Sequence, residues 1–279
     1  MSNEKYETYN TKVTNFGTYR EITHFHTSQV RKAKSDEHRG GRNENSVISD
    51  EAQEERTKAQ HYKIKRKIRH YILANDFQFF VTFTIDPQKS NSLDYDTAKS
   101  ILLKWCETQR KLKGKFDYIF LPEFHKSGRV HFHGVLGNCN FELIKAVNPK
   151  TGKSFKRNGR QVYNLPAWKY GFTDVEIIED KERTSSYMTK YVTKELMSNK
   201  EMFGKKRYFP SRGLKVPEIT FENRTSDEFQ DLIPNYGIMD KDISGNRILE
   251  KAIYKENINP DTGEIFQKYE DSLIKTKIN

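Results

Sequence analysis

The sequence predicts an α+β fold in which helices pack on one face of a central, mostly antiparallel sheet. Three observations lead to this prediction: an alternating strand pattern at 77–86, a hairpin pattern at 118–136, and helical periodicity in the segments around them. The order strand, helix, hairpin, strand, helix favours antiparallel neighbours. We therefore expect the other face of the sheet to be free to hold a site.

The strands are predicted from aromatic and β-branched runs. FQFFVTFTID at 77–86 alternates between two faces, with Phe79, Val81, Phe83 and Ile85 on one and Thr82, Thr84 and Asp86 on the other. YIFLPEF at 118–124 and RVHFHGVL at 129–136 flank a Lys-Ser-Gly turn and predict a β-hairpin. A further strand is predicted over FTDVEII at 172–178.

Helices are predicted over 56–75, 94–113 and 183–198 from apolar residues at helical spacing. Their expected buried stripes are Ile64, Ile68, Tyr71 and Ile72 in the first, Ala98, Ile101, Leu102, Trp105 and Leu112 in the second, and Met188, Val192 and Leu196 in the third. The polar stretch 146–163 contains two turn signals and predicts a hairpin inserted at the rim of the sheet.

The domain organisation predicted from these patterns has three consecutive segments. Residues 1–75 form an N-terminal extension with a strand patch, a polar linker and a basic helix, 76–218 form the main domain, and 219–279 form an accessory region without an assigned role.

The composition indicates a polyanionic partner and a reducing compartment. The 279 residues include 49 Lys and Arg against 38 Asp and Glu, a formal charge of +11, which favours nucleic acid over membrane. Cys106 and Cys139 form no CxxC pair, so a disulfide framework or thiolate zinc site is not expected. No signal-peptide core or long apolar run is found, so a cytoplasmic location without membrane association is predicted.

A candidate metal site lies in the predicted hairpin. His131 and His133 are two residues apart on one strand, so both imidazoles leave the same face about 7 Å apart. Glu123 lies on the partner strand, and closing the hairpin brings its carboxylate beside them. Two imidazoles and a carboxylate suit Mn²⁺, Mg²⁺, Zn²⁺ or Fe²⁺. An isolated HxH is more often an exposed polar strand face, but the carboxylate and the apolar strand around this pair favour ligation.

A candidate nucleophile lies in the third helix. Tyr187, Lys190, Tyr191 and Lys194 fall on one helical face. A phenol ionises near pH 10, and neighbouring cations lower that pKa and balance the charge of a phosphoryl-transfer transition state. The alternative is an amphipathic surface helix on which the tyrosines and lysines contact only water.

Together these residues resemble the HUH endonucleases, in particular the rolling-circle replication initiators of plasmids and phages. FVTFTID at 80–86, with Thr82, Thr84 and Asp86, is similar to their first motif, HFHG at 131–134 to the histidine motif, and YMTKYVTKE at 187–195 to the two-tyrosine motif. PEFHKSGRVHFHGVL and GKKRYFPSRGLKVPE are similar to replication-associated proteins of low-GC Gram-positive bacteria. The resemblance covers roughly residues 15–218.

The resemblance implies an HUH-type, RRM-like palm at 76–218 that nicks single-stranded DNA at a replication origin. A divalent ion, Mn²⁺ or Mg²⁺, would be held by His131, His133 and Glu123, while Tyr187 or Tyr191 attacks the phosphate with help from Lys190 and Lys194. A 5′-phosphotyrosine and a free 3′-OH result, and strands are later rejoined. A host polymerase and a host helicase are the implied partners, and no nucleotide cofactor is expected, because NPKTGKS at 148–154 lacks the leading glycine of a P-loop.

Basic runs are predicted to contact DNA phosphates, and interleaved aromatics to stack on bases. The predicted DNA-binding residues are Lys63, Lys65, Arg66, Lys67, Arg69, Lys205, Lys206, Arg207, Tyr208 and Arg212. Rival interpretations are a relaxase or transposase of the same superfamily, a DNA-binding regulator without catalysis, and a metal-dependent hydrolase that does not use the tyrosines.

Overall fold

A computed structural model describes residues 6–33, 50–148, 150–193, 196–197, 202, 205–242, 244–268 and 272–276. The helices are α1 (Asp50–Ala74), α2 (Tyr95–Lys113) and α3 (Lys181–Lys190), and a 3-10 turn covers Ser226–Phe229. The strands are β1 (Tyr6–Asn15), β2 (Tyr19–Lys32), β3 (Phe77–Ile85), β4 (Asp117–Phe124), β5 (Val130–Gly137), β6 (Ile144–Lys145), β7 (Lys156–Arg157), β8 (Arg160–Gln161), β9 (Tyr163–Asn164), β10 (Gly171–Ile177), β11 (Phe209–Pro210), β12 (Glu218–Glu222), β13 (Tyr236–Lys241), β14 (Arg247–Ile258), β15 (Ile265–Gln267) and β16 (Leu273–Thr276). The predicted α+β class is confirmed.

The chain divides into two compact units rather than three consecutive segments. Residues 47–215 form the central unit, and 1–46 together with 216–279 form the terminal unit. The expected division at 75 and 218 is corrected for two reasons. β2 pairs with β14, so both ends of the chain build one sheet. The apolar stripe of α1 packs in the core of the central unit, so α1 does not belong to an N-terminal extension.

The central unit is built on a seven-stranded sheet in the order β11-β4-β5-β3-β10-β9-β6, and every neighbouring pair is antiparallel. The predicted hairpin is β4–β5, and β3 lies on the other side of β5. Thr82 pairs with His133 and Thr84 with His131 across β3–β5, while Glu123 pairs with His131 across β4–β5. This register brings the polar residues of three strands onto one face.

One face of the sheet is covered by α2, whose N-cap Asp94 accepts a hydrogen bond from the backbone N–H of Thr97. The buried side chains of α2, including Leu102 and Trp105, pack against Val81, Phe83 and Phe132. Leu112 was expected in this stripe but is 70% exposed, because the final turn of α2 extends beyond the sheet side chains that bury Leu102.

The opposite face carries both α1 and α3, so the expectation that all helices share one face is corrected. Ile64, Ile68 and Ile72 of α1 pack with Met188 of α3 in a second core. The sheet contributes Phe80, Ile119, Leu121 and Val135 to this core. Because these four residues alternate with the buried residues of the α2 face, the strands are apolar on both faces over much of their length. Only the part of this second face near His131 and His133 is polar.

The stretch 146–163 forms the predicted rim insertion. β7 and β8 pair as a tight hairpin whose central residues, Asn158 and Gly159, both have positive φ, as a type I′ turn requires. At NPKTG the side-chain oxygen of Asn148 accepts hydrogen bonds from the backbone N–H groups of Lys150 and Thr151. That geometry is a turn, which agrees with the prediction that this segment is not a P-loop.

The terminal unit contains a second sheet in the order β12-β1-β2-β14-β13-β16, with β15 paired to β14. Its pairs are antiparallel except β13–β16, which is parallel. A small core formed by Val13, Ile22, Phe229, Ala252 and Tyr254 packs on one face. The N-terminal strand prediction is thereby extended to two long strands.

We predict that two leucines on α2 differ sharply in their contribution to stability. Leu102→Ala removes a fully buried side chain and should lower the free energy of unfolding by about 2–5 kcal/mol. Leu112→Ala, on the same helix but exposed, should change it by less than about 0.5 kcal/mol. Urea unfolding followed by far-UV circular dichroism measures both. Equal losses of stability for the two variants would contradict the placement of α2.

Candidate functional site

The histidine pair lies at the centre of the sheet, on strand β5. Alternation along β5 directs Phe132 into the α2 core and leaves His131 and His133 on the opposite face. Gly134, the residue after the pair, permits close packing below, because a Cβ there would overlap the ring of Phe120. The glycine of the motif therefore has a packing role.

Two threonines of β3 hold the imidazoles. Thr82 Oγ1 lies 3.1 Å from His133 Nδ1, and Thr84 Oγ1 lies 3.2 Å from His131 Nδ1. A hydroxyl can donate or accept, so each threonine can serve either tautomer of its histidine. Both contacts engage Nδ1, which leaves the Nε2 atoms directed away from β3. Asp86, the third polar residue of this motif, lies past the end of β3, where its side chain accepts a hydrogen bond from the backbone N–H of Gln88 and forms a turn.

The carboxylate of Glu123 contacts the second histidine, with Glu123 Oε2 2.6 Å from His133 Nε2. This hydrogen bond is the main reason that the pKa of Glu123 is below its ordinary value. Burial, followed by the nearby imidazole of His125, lowers the pKa of His131. The structure thus supplies an ionised carboxylate and an imidazole that favours its neutral form.

The three expected ligands are not all close together. Within the described part of the chain, no three His, Cys, Asp or Glu side chains are arranged closely enough to hold a metal ion. Glu123 and His133 are in direct contact, whereas His131 stacks with His125 at a ring-centroid distance of 5.4 Å. The donor types fit a divalent ion that accepts nitrogen and oxygen ligands.

The helix that carries the tyrosines is shorter than predicted. α3 ends at Lys190 and is capped by Tyr191, whose backbone N–H donates to the carbonyls of Met188 and Thr189. Met188, Val192 and Leu196 are all buried, as predicted, although only Met188 lies within α3. Lys194 lies outside the described residues.

Tyr191 lies directly on the histidine pair. Its ring stacks on His133 at a centroid distance of 3.6 Å with 12° between the planes. Tyr187 contacts the Tyr191 ring edge-on at 5.4 Å and is 43% exposed. Phe80, buried on the same sheet face, contacts both tyrosine rings. The structure therefore brings the tyrosines and the histidines together on one surface.

The environment of Tyr191 is opposite to the one expected. Neighbouring cations were expected to lower the pKa of the nucleophile, but burial, and then a hydrogen bond with Tyr187, raises the pKa of Tyr191. Lys190 lies over the other tyrosine, with its Nζ 5.5 Å from the centroid of the Tyr187 ring. The two phenols therefore differ: one is covered and kept protonated, and the other is exposed beside a lysine.

The predicted DNA-binding residues are only partly assembled. Lys63 and Lys67 of α1 line a cavity of about 460 Å³ with Lys205, Lys206, Arg207 and Tyr208. Lys205 forms a 2.8 Å ion pair with Asp96, and the Arg207 guanidinium donates to the carbonyls of Met202 and Lys205. These bonds engage two of the expected cations within the fold. Lys65, Arg66, Arg69 and Arg212 do not line this cavity.

Sequence reasoning missed Phe80 and Arg157. The alternation of β3 already placed Phe80 on the face of Thr82, which was the available signal. Arg157, on the inserted hairpin, bonds to Asp174 and Glu176 of β10. No local pattern could have placed it there, because the contact depends on how the insertion folds back.

Comparison with known proteins gives one match. Residues 78–196 match the family model of the ORF2-type replication-associated proteins. The matched segment runs from β3 to the residues just past α3 and so includes the histidines, Glu123 and both tyrosines. No curated protein and no solved structure matches the chain. The match indicates a role in DNA replication and is consistent with a rolling-circle Rep-type protein.

The helices add one negative finding. In the ranges that the structure describes, none of them has the length and apolarity required to cross a bilayer.

We predict that Tyr191 shields His133 from solvent reagents, because the stacked ring leaves His133 only 7% exposed. Tyr191→Ala should accelerate carbethoxylation of His133 by diethylpyrocarbonate several-fold, measured by peptide mass spectrometry. Tyr191→Phe retains the ring and should leave the rate at its wild-type value. An unchanged rate in the alanine variant would disprove the stacking.

Proposed function

We propose that the protein initiates rolling-circle replication by nicking single-stranded DNA at an origin through a covalent 5′-phosphotyrosine. The observation that carries the proposal is the contact of Tyr191 with His133, which is itself hydrogen-bonded to Glu123. A phenol and a set of metal-ligand side chains on one open sheet surface are what tyrosine attack on a phosphodiester requires. The match to a replication-associated family supports the same reaction.

His131, His133 and Glu123 would hold a divalent ion, with Mn²⁺ or Mg²⁺ expected. When bound, such an ion supplies Lewis-acid polarisation of the scissile phosphate. Thr82 and Thr84 orient the imidazoles through Nδ1, so that Nε2 remains available for ligation. Bringing His131 into the set requires a side-chain rearrangement toward Glu123, whose Cα is its direct cross-strand partner.

We infer that Tyr187 attacks first. It is the exposed phenol and lies beside Lys190. A hydrogen bond that raises the pKa of Tyr191 is one that the protonated Tyr191 donates, and that bond stabilises a phenolate on Tyr187. The Tyr187 oxygen forms a bond to phosphorus, the bond to the 3′ oxygen breaks, and that oxygen takes up a proton.

The free 3′-OH would be extended by a host polymerase, with unwinding by a host helicase. Tyr191 could then accept the strand in a second transfer, after the motion that uncovers it from His133. The phosphodiester energy is conserved in the tyrosine linkage, so the nick needs no nucleotide hydrolysis.

The nicking proposal predicts a covalent protein–DNA adduct. Purified protein mixed with single-stranded origin DNA and Mn²⁺ should give a slower band on a denaturing gel. Tyr187→Phe should reduce the initial adduct by at least about 100-fold, because this change removes the nucleophile. Tyr62→Phe, a matched exposed tyrosine on α1, should have no effect. No adduct with the wild type, or an undiminished one in a Tyr187→Phe/Tyr191→Phe double variant, would refute the mechanism.

The metal proposal predicts selective loss of Mn²⁺ binding. His133→Ala or Glu123→Ala should weaken the affinity measured by isothermal titration calorimetry by more than about tenfold. His125→Ala, a neighbouring histidine outside the proposed ligand set, should retain it. Equal binding by the wild type and the Glu123→Ala variant would exclude this ligand set.

A further inference from the structure

A basic cavity lies beside Tyr187, on the side of α3 that faces the inserted hairpin. It has a volume of about 370 Å³, which is within the range of small-ligand sites. Its cationic lining comes from two separate elements: Arg157 and Arg160 from the hairpin, and Arg183 and Lys190 from α3. Glu176 is the single carboxylate among its lining residues.

The hairpin is anchored over the sheet by ion pairs. Arg157 bonds to Asp174 at 2.5 Å and to Glu176 at 3.2 Å, and both carboxylates belong to β10. Arg160 pairs with Glu179 at 2.9 Å. Because a guanidinium that bonds through two nitrogens has a defined orientation, these contacts hold the hairpin at one wall of the cavity.

The remaining charge is available for a ligand. Among the described residues, neither Arg183 nor Lys190 has a carboxylate partner within ion-pair distance. Lys190 lies over the Tyr187 ring, so the uncompensated charge is next to the proposed nucleophile. Ile177, which is 48% exposed, and the Tyr187 ring give the cavity an apolar side against which a base can stack.

We propose that this cavity binds one nucleotide of single-stranded DNA next to the attacked phosphate, with its phosphodiester on Arg160, Arg183 and Lys190 and its base against Tyr187 and Ile177. The inference rests on the proposed function for the identity of the attacked phosphate. It adds a substrate-binding role for the insertion 146–163, which would then position the strand for attack. Arg157 is a positioning residue that acts by anchoring the hairpin.

The test measures binding without cleavage. A fluorescein-labelled oligothymidylate of about 20 nucleotides is titrated in EDTA by fluorescence anisotropy, between about 50 and 200 mM NaCl. Removing one cation that neutralises a phosphate should reduce the slope of log affinity against log salt by about 0.7. An Arg160→Gln/Arg183→Gln variant should therefore have a slope smaller by about 1.4 and bind several-fold more weakly at the lower salt concentrations.

Two controls separate a direct interaction from a general effect of charge or folding. Arg160→Lys/Arg183→Lys keeps both charges and should restore most of the slope. Lys104→Gln/Lys111→Gln makes the same charge change on the exposed surface of α2, on the other side of the sheet, and should leave the slope unchanged. Urea unfolding midpoints confirm that each variant is folded.

The outcomes distinguish this inference from the proposed function. An unchanged slope in the glutamine variant, or an equal reduction in the α2 control, overturns the cavity assignment even if the wild type forms the covalent adduct. A reduced slope that the lysine variant restores supports the cavity, and it does so even if no adduct forms with Mn²⁺, in which case the nicking function alone fails.

Discussion

The site depends on the antiparallel register of three strands. β5 lies between β3 and β4, so one row of residues contains Thr82 and His133, and the adjacent row contains Thr84, His131 and Glu123. A shift of one residue in either pairing would direct the histidines into the α2 core and the phenylalanines to the surface. The aromatic core on that side, with Phe83, Phe120 and Phe132 fully buried, makes such a shift costly. The large apolar residues therefore determine where the small polar set lies.

The second requirement is that a separate element reach this surface. α3 belongs to the site because its apolar side packs with α1 and with the apolar part of the same sheet face. Met188 and Val192 are both fully buried in that core, and Tyr191 lies between them in sequence near the helix end. Packing thus places its ring on His133. Since the chain leaves α3 at this point, the two tyrosines occupy different environments although they are four residues apart.

Much of the fold follows from local patterns. Period-two alternation located β3, β4, β5 and β10, and period-3.6 stripes located the three helices, because these patterns report which face of an element is buried. The errors have physical causes. The end of α3 depends on a cap formed by Tyr191 and not on a break in apolar periodicity, and the exposure of Leu112 depends on where the sheet ends. The placement of α1 and α3 on the site face required knowledge of which sheet face still had apolar residues to cover.

The sequence alone determined the identity of the polar residues on β3, β4 and β5 and their common face, since strand alternation and a short hairpin turn leave little freedom. Only the tertiary structure decided which tyrosine is covered, which lysines and arginines are already engaged in ion pairs, and that the insertion at 146–163 adds arginines beside Tyr187. Those properties depend on contacts between residues far apart in the chain, such as Arg157 with Asp174 and Tyr191 with His133. Burial and charge pairing are set by such contacts, and no local pattern encodes them.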